Sequence, residues 1–74
     1  MYDARMALTK LTVNLTPKAS SALDNTAELT GDRKTDVVNR ALQMYEWLEL
    51  EKAAGMQVLV RNPETGEAQE IRWF

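Results

Sequence analysis

The sequence predicts a mostly helical chain with short strands that folds as a pair of identical chains. Three patterns indicate this class: an isolated alternating strand, two helical segments joined at a glycine, and a C-terminal strand–turn–strand. A chain of 74 residues makes one small domain that rarely buries enough core alone, and association with a second copy is a common remedy. We divide the chain into an N-terminal arm (1–7), a strand–helix–helix unit (8–55) and a β-hairpin (56–74).

The first element is a predicted strand from Leu8 to Leu15. Polar and apolar side chains alternate strictly from residue 10 to residue 15, which is typical of a strand with one dry face. The apolar members are Leu11, Val13 and Leu15, and the polar members are Lys10, Thr12 and Asn14. Helical segments follow, so the strand has no partner nearby in the sequence, and its backbone N–H and C=O groups are left unpaired. Antiparallel pairing with the same strand of a second copy, about a two-fold axis, satisfies them.

The first helix is predicted from Pro17 to about Leu29. Thr16 suits the N-cap, and proline at the first helical position loses no hydrogen bond. Gly31 follows, and glycine readily adopts the left-handed conformation that ends a helix. The apolar face of this helix is thin and rich in alanine, so the helix must lie against a larger hydrophobic partner.

The second helix is predicted from residue 33 or 34 to residue 54, with Gly55 ending it. Asp32 or Thr35 is expected to cap its N-terminus. Apolar residues recur at i, i+3, i+4 and i+7 in a stripe that is wider than the first helix covers, which favours burial against a second chain. The predicted dimer core consists of Leu11, Val13, Leu15, Leu23, Val38, Ala41, Leu42, Tyr45 and Leu48.

After Gly55 the period of the pattern returns to two. Residues 56–61 are predicted as a strand, residues 62–66 as a turn containing Pro63 and Gly66, and residues 68–73 as the returning strand. An isolated hairpin is marginally stable in water. Its apolar side chains are therefore expected to pack on the second helix, on the other copy of the chain, or on another protein.

The composition excludes several kinds of chemistry. There is no cysteine and no histidine, which removes disulfides, thiol nucleophiles, and thiolate or imidazole metal ligands. No nucleophile, base and orienting group converge in the sequence, so we expect neither an enzyme nor a cofactor or metal site. No apolar run suits a signal peptide or a membrane span, and a cytoplasmic location is expected.

The charge is distributed unevenly along the chain, whose net charge is −2. Residues 1–40 hold six basic and five acidic side chains, whereas residues 41–74 hold three basic and six acidic ones. If the basic side chains of the first part share a face, a surface for nucleic acid is compatible with the acidic total.

The ordered pattern resembles the ribbon–helix–helix DNA-binding family of Arc, MetJ and CopG type. The resemblance covers about residues 8–48 and depends on Lys10–Leu15, on Thr30-Gly31, and on Thr35–Leu42 followed by Tyr45. It implies an intertwined homodimer whose two strands form an antiparallel ribbon in the DNA major groove, while four helices form the shared core. At the turn between the helices, the sequence Gly31-Asp32-Arg33 departs from the family's frequent glycine, any residue, then serine, threonine or asparagine.

The resemblance assigns base reading to the outward strand residues and phosphate contact to the start of the second helix. We add the arm and the first helical turn as further phosphate contacts, because each offers a cation. The expected base contacts are Lys10, Thr12 and Asn14, and the expected phosphate contacts are Arg5, Lys18, Arg33, Lys34 and Thr35.

Three functions follow from these observations. The first is a bacterial, phage or plasmid repressor that occupies repeated or palindromic operator half-sites, with two dimers side by side, near the nucleoid. The second is an antitoxin that blocks a toxin through its C-terminal part and autoregulates its operon. The third is a structural helical dimer that binds no DNA, which the acidic net charge favours.

Overall fold

A computed structural model describes residues 8–73 and shows a mostly helical chain with a small antiparallel sheet. Helix α1 spans Pro17–Thr30 and helix α2 spans Lys34–Ala53. Strand β1 spans Leu59–Arg61 and strand β2 spans Ala68–Glu70. The predicted combination of helices with short strands is confirmed. The predicted arm, residues 1–7, lies outside the described residues.

Both ends of α1 follow the sequence signals. Thr16 is extended, and its Oγ1 accepts a hydrogen bond from the Ala19 N–H at 3.1 Å. Gly31 ends the helix with φ at +77°, and its N–H donates to the Ala27 carbonyl at 2.9 Å. This left-handed conformation is strained for other residues, which explains a glycine at this turn. The predicted capping of α1 is therefore confirmed.

The predicted cap of α2 is wrong, although the bounds of the helix are close to those expected. Arg33 occupies the N-cap position and makes no side-chain capping hydrogen bond. Thr35 already lies inside the first turn. Asp32 lies one position too early, and its carboxylate instead accepts a hydrogen bond from Arg40 at 2.8 Å. The Asp32 carboxylate, which the local sequence predicts as a cap, therefore binds Arg40, eight residues further along the chain.

Residues 8–16 carry no strand in the single chain. Within residues 8–73 the sheet contains β1 and β2 alone, so the segment predicted as a strand pairs with nothing. A strand is defined by hydrogen bonds to a neighbouring strand, and this segment has no such neighbour within residues 8–73. The intermolecular ribbon consequently stays a prediction.

The C-terminal hairpin has the predicted turn and shorter strands. Val60 pairs with Gln69 at the centre of the register, and the Ile71 N–H continues the pairing to the Val58 carbonyl at 2.8 Å. In the turn, the Asn62 side chain accepts from the Glu64 N–H at 2.9 Å. The predicted hairpin is present, while the outer parts of both predicted strands are irregular.

The two helices contact each other but enclose almost nothing. Val37, at 8% exposed, is the single buried residue among residues 8–73. Fourteen large apolar side chains in the same range are exposed. A chain folded in this way lacks the apolar burial that must offset the entropy of ordering its backbone.

Candidate functional site

An open apolar groove lies along α1 and α2. Its volume is about 490 Å³, and most of its wall is aliphatic. Five of the nine predicted core residues line it, and they come from the end of the unpaired segment and from both helices. They are Leu15, Leu23, Val38, Ala41 and Leu42. The structure therefore gathers these residues on one face, while that face lies open.

The other four predicted core residues lie elsewhere. Leu11 and Val13 are exposed on the unpaired segment, Tyr45 is exposed on α2, and Leu48 is half-buried. Sequence reasoning left out Val37 and Met44, which also line the groove. Both belong, with Trp47, to a second apolar row beside the main stripe of α2, and the width of this row itself favours burial against a second chain.

The three predicted base-contacting residues are exposed. Lys10, Thr12 and Asn14 lie on the segment that precedes α1, between apolar residues that are exposed as well. In the single chain, burial therefore fixes neither the polar nor the apolar side chains of this segment. A regular separation of polar from apolar side chains requires a partner strand to fix the extended backbone.

Two predicted phosphate contacts at the start of α2 are tied to carboxylates. Lys34 Nζ lies 3.0 Å from Asp24 Oδ1 of α1, and Arg33 Nε lies 3.4 Å from Asp36 Oδ2. The Lys34 and Arg33 side chains remain 65% and 87% exposed. Exposed ion pairs contribute about 0–1 kcal/mol, so little free energy holds either cation to its carboxylate.

The remaining predicted phosphate contacts are dispersed. Lys18 is exposed in the first turn of α1, and Thr35 is exposed in the first turn of α2. The Thr35 carbonyl accepts a hydrogen bond from the Asn39 side chain at 2.8 Å. Arg5 lies outside the described residues. The structure brings Arg33, Lys34 and Thr35 together through their adjacency at one helix start.

The turn between the helices is held by hydrogen bonds on both sides of Gly31. Thr30 Oγ1 donates to the Thr26 carbonyl at 3.0 Å and accepts from the Asp32 N–H at 3.2 Å. Arg40 then fixes the Asp32 carboxylate. The position of the α2 N-terminus is thus set by a network that includes both helices.

A second cluster joins the hairpin to the C-terminal end of α2. The Trp73 indole N–H donates to Glu49 Oε2 at 2.5 Å, and the Lys52 ammonium lies 5.5 Å from the centre of the Trp73 ring. The negative charge of Glu49 also raises the pKa of Tyr45, one turn earlier in α2. Of the three packing partners expected for the hairpin, the single chain shows contact with the second helix.

Other kinds of site find no support in the part of the chain that the structure describes. No group of carboxylates there is arranged to hold a metal ion. Neither described helix combines the length and apolarity needed to cross a membrane. The chain matches no protein-family model, no curated protein and no solved structure in the comparisons made with each.

Proposed function

We propose that this protein is a homodimeric, sequence-specific DNA-binding regulator that represses transcription by occupying an operator. The observation that carries the proposal is the open groove along α1 and α2, which continues into an alternating segment without a partner strand. One arrangement resolves both features at once: a second copy covers the groove and supplies the missing strand.

The energetics favour pairing of two chains. Each copy exposes Leu42 at 58% and Val38 at 39% on the groove side of α2. Complete burial of such a side chain contributes about 1.5–3 kcal/mol, so covering several of them on both copies offsets the cost of association. The same pairing satisfies the backbone of residues 8–15 as an antiparallel ribbon.

The ribbon formed in this way has dimensions that suit DNA. The major groove is about 12 Å wide and accepts a two-stranded ribbon. Side chains two residues apart on a strand point to the same face at about 6.5–7 Å. Lysine suits guanine O6 and N7, asparagine suits adenine N6 and N7, and threonine bonds several bases or contacts the thymine methyl. Lys10, Thr12 and Asn14 of two chains offer six such readers.

The start of α2 supplies the contact with the DNA backbone. The first backbone N–H groups of a helix lack partners within it and attract anions. No side chain caps these groups at Arg33, so they remain open to a phosphate oxygen. The exposed Arg33 and Lys34 side chains lie at the same place and would contact the phosphate in exchange for their present carboxylate partners.

A mobility-shift titration tests the proposal. The probe is DNA from upstream of the protein's own coding sequence, with random DNA as competitor, at two salt concentrations. We expect a tight shift that resists the competitor. Binding that is weak and vanishes at moderate salt would reflect charge attraction alone and would refute sequence-specific recognition. Sedimentation of the same samples should give the mass of two chains.

The hairpin favours a second candidate, an antitoxin that binds a toxin through its C-terminal part. Every residue of β1 and β2 is exposed, including Leu59 and Val60, and both outer strand edges are open within the described chain. Co-expression with the product of a small neighbouring gene tests this candidate. If relief of toxicity requires residues 56–74, the candidate is supported. If a chain lacking these residues also relieves toxicity, the hairpin is not the toxin-binding part.

A further inference from the structure

The shortest ion pair of the described residues joins the turn before α2 to the body of that helix. Arg40 Nη1 donates to Asp32 Oδ2 at 2.8 Å, across eight residues of sequence. The Asp32 side chain is 24% exposed, whereas the Arg33 side chain next to it is 87% exposed. The pair is therefore a tertiary contact, unlike the local pair of Arg33 with Asp36.

The Asp32 side chain lies in different surroundings from the two cations that follow it in the sequence. Asp32 and Arg40 both line the apolar groove, and neither Arg33 nor Lys34 does. The Asp32 carboxylate thus lies at the groove with Arg40, while Arg33 and Lys34 stay largely exposed beside other carboxylates. The hydrogen bond from the Asp32 N–H to Thr30 Oγ1 holds its backbone in place.

The Asp32 carboxylate lies close to a second favourable place, the N-terminus of α2. Aspartate is among the best residues for capping a helix, because its side chain accepts from the first N–H groups and its charge suits the helix dipole. Asp32 lies one position before the N-cap Arg33, but a free Asp32 carboxylate would still be attracted by the partial positive charge at the uncapped start of α2. There it would occupy the N–H groups that a phosphate requires and repel the phosphate charge.

We propose that Arg40 is a positioning residue for DNA binding, which withholds the Asp32 carboxylate from the N-terminus of α2 without touching DNA itself. This inference rests on the proposed function. It also accounts for an aspartate beside a phosphate site, since Arg40 neutralises that charge within the same chain. Removal of Arg40 should release the carboxylate, and removal of both partners should restore binding.

The test is a double-mutant cycle on DNA affinity. Asp32→Asn, Arg40→Met and the double variant are titrated against the upstream duplex and a random duplex, at two salt concentrations. We expect Arg40→Met to weaken binding to both by about fivefold, as for the loss of one interaction of about 1 kcal/mol. The double variant should regain wild-type affinity within about twofold, and Asp32→Asn alone should change little on the same scale.

Arg72→Met is the matched control, because Arg72 also pairs with a carboxylate but lies beside the hairpin, at 3.5 Å from Glu70. It loses the same charge and should have a much smaller effect. All variants are compared at a concentration where sedimentation gives the wild-type mass. If Arg40→Met fails to associate, Arg40→Gln, which keeps a hydrogen-bond donor without the charge, replaces it in the cycle.

The outcomes separate this inference from the function on which it rests. Suppose that the wild-type protein binds specifically, but Asp32→Asn changes DNA affinity no more in the Arg40 variant than in the wild-type protein. The positioning role is then refuted, and the proposed function stands. A loss equal to that of Arg72→Met refutes the role as well. If the wild-type protein binds neither duplex, the proposed function fails. If the Asp32 and Arg40 substitutions are coupled only in thermal unfolding, the pair contributes to stability and not to DNA binding.

Discussion

Asn14 and Lys34 are both exposed polar residues, but their surroundings predict different roles. Asn14 lies between Val13 and Leu15 on the segment that has no partner strand in the single chain. Lys34 is the first residue of α2 and is paired with Asp24 on α1. Under the proposed function, the first side chain reads a base and the second contacts a phosphate.

Asn14→Ala should lower affinity for the specific site much more than affinity for random DNA. An asparagine that forms two hydrogen bonds with adenine discriminates between bases by about 1–3 kcal/mol, and alanine makes neither bond. Parallel titrations with specific and random duplexes measure the difference. Equal and small losses on both would remove Asn14 from the reading face.

Lys34→Ala should weaken binding to both duplexes about equally. One phosphate contact carries little sequence information, and its loss reduces the slope of log affinity against log salt by about 1. The slope is measured over at least four salt concentrations. Glu64→Gln, a charge change in the turn of the hairpin, serves as a control that should leave the slope unchanged.

Tyr45 carries a prediction about pH. The adjacent Glu49 carboxylate is the main cause that raises the Tyr45 pKa above its ordinary value of 10.0. Since the folded chain holds this proton more tightly, the contribution to stability is complete below pH 10 and is lost as the pH rises through the folded pKa. Glu49→Gln should lower the Tyr45 pKa, as measured by ultraviolet absorbance in a Tyr2→Phe background. An unchanged pKa would show that Glu49 is not the cause.

At the scale of elements, α1 depends on its ends because it buries no residue of its own in the single chain. The Thr16 hydroxyl provides the side-chain hydrogen bond at its N-terminus. Gly31 provides the left-handed end.

Thr16→Ala should reduce the free energy of unfolding by about 1 kcal/mol, which is typical for the loss of a threonine N-cap. Chemical denaturation followed by circular dichroism measures the change. Ser21→Ala, an exposed substitution inside the same helix, should be neutral or slightly stabilising because alanine has the higher helix propensity. Similar losses for both variants would contradict a specific capping role.

Local sequence signals predict the helices and the hairpin, whereas the features that were predicted wrongly depend on contacts between residues distant in the sequence. Thr16, Pro17 and Gly31 act within one helical turn, so both ends of α1 were predictable. The cap of α2 was mispredicted because Arg40 holds Asp32 from two turns away. The alternation of residues 10–15 predicts a strand but does not contain its partner. The same limit applies to the candidate site, since five of the predicted core residues line the groove while no segment of the described chain covers them.

At the scale of the whole molecule, the described chain has two helices, a hairpin and one buried side chain, Val37. If a second copy covers the groove, as proposed, each chain gains stability from its copy, and the melting temperature should rise with protein concentration. The groove identifies which surface is responsible.

Leu42→Glu should abolish the proposed dimerisation, because it places a charge in the groove, where the proposed second copy would bury it. Leu50→Glu is the matched control, since Leu50 is 61% exposed on the same helix and does not line the groove. Sedimentation at several concentrations should give single chains for Leu42→Glu and pairs for Leu50→Glu. Pairs in both variants would place the dimer interface elsewhere.

That Val37 is the single buried residue among residues 8–73 also has a consequence for how activity depends on the amount of this protein in the cell. If a chain reaches its working form only by meeting another, then at low abundance the working form grows with the square of the number of chains made. Under the proposed function, halving synthesis would leave about a quarter of the active pairs, and the operator would be released abruptly rather than in proportion. A sparse core would in this way turn gradual changes in expression into a threshold.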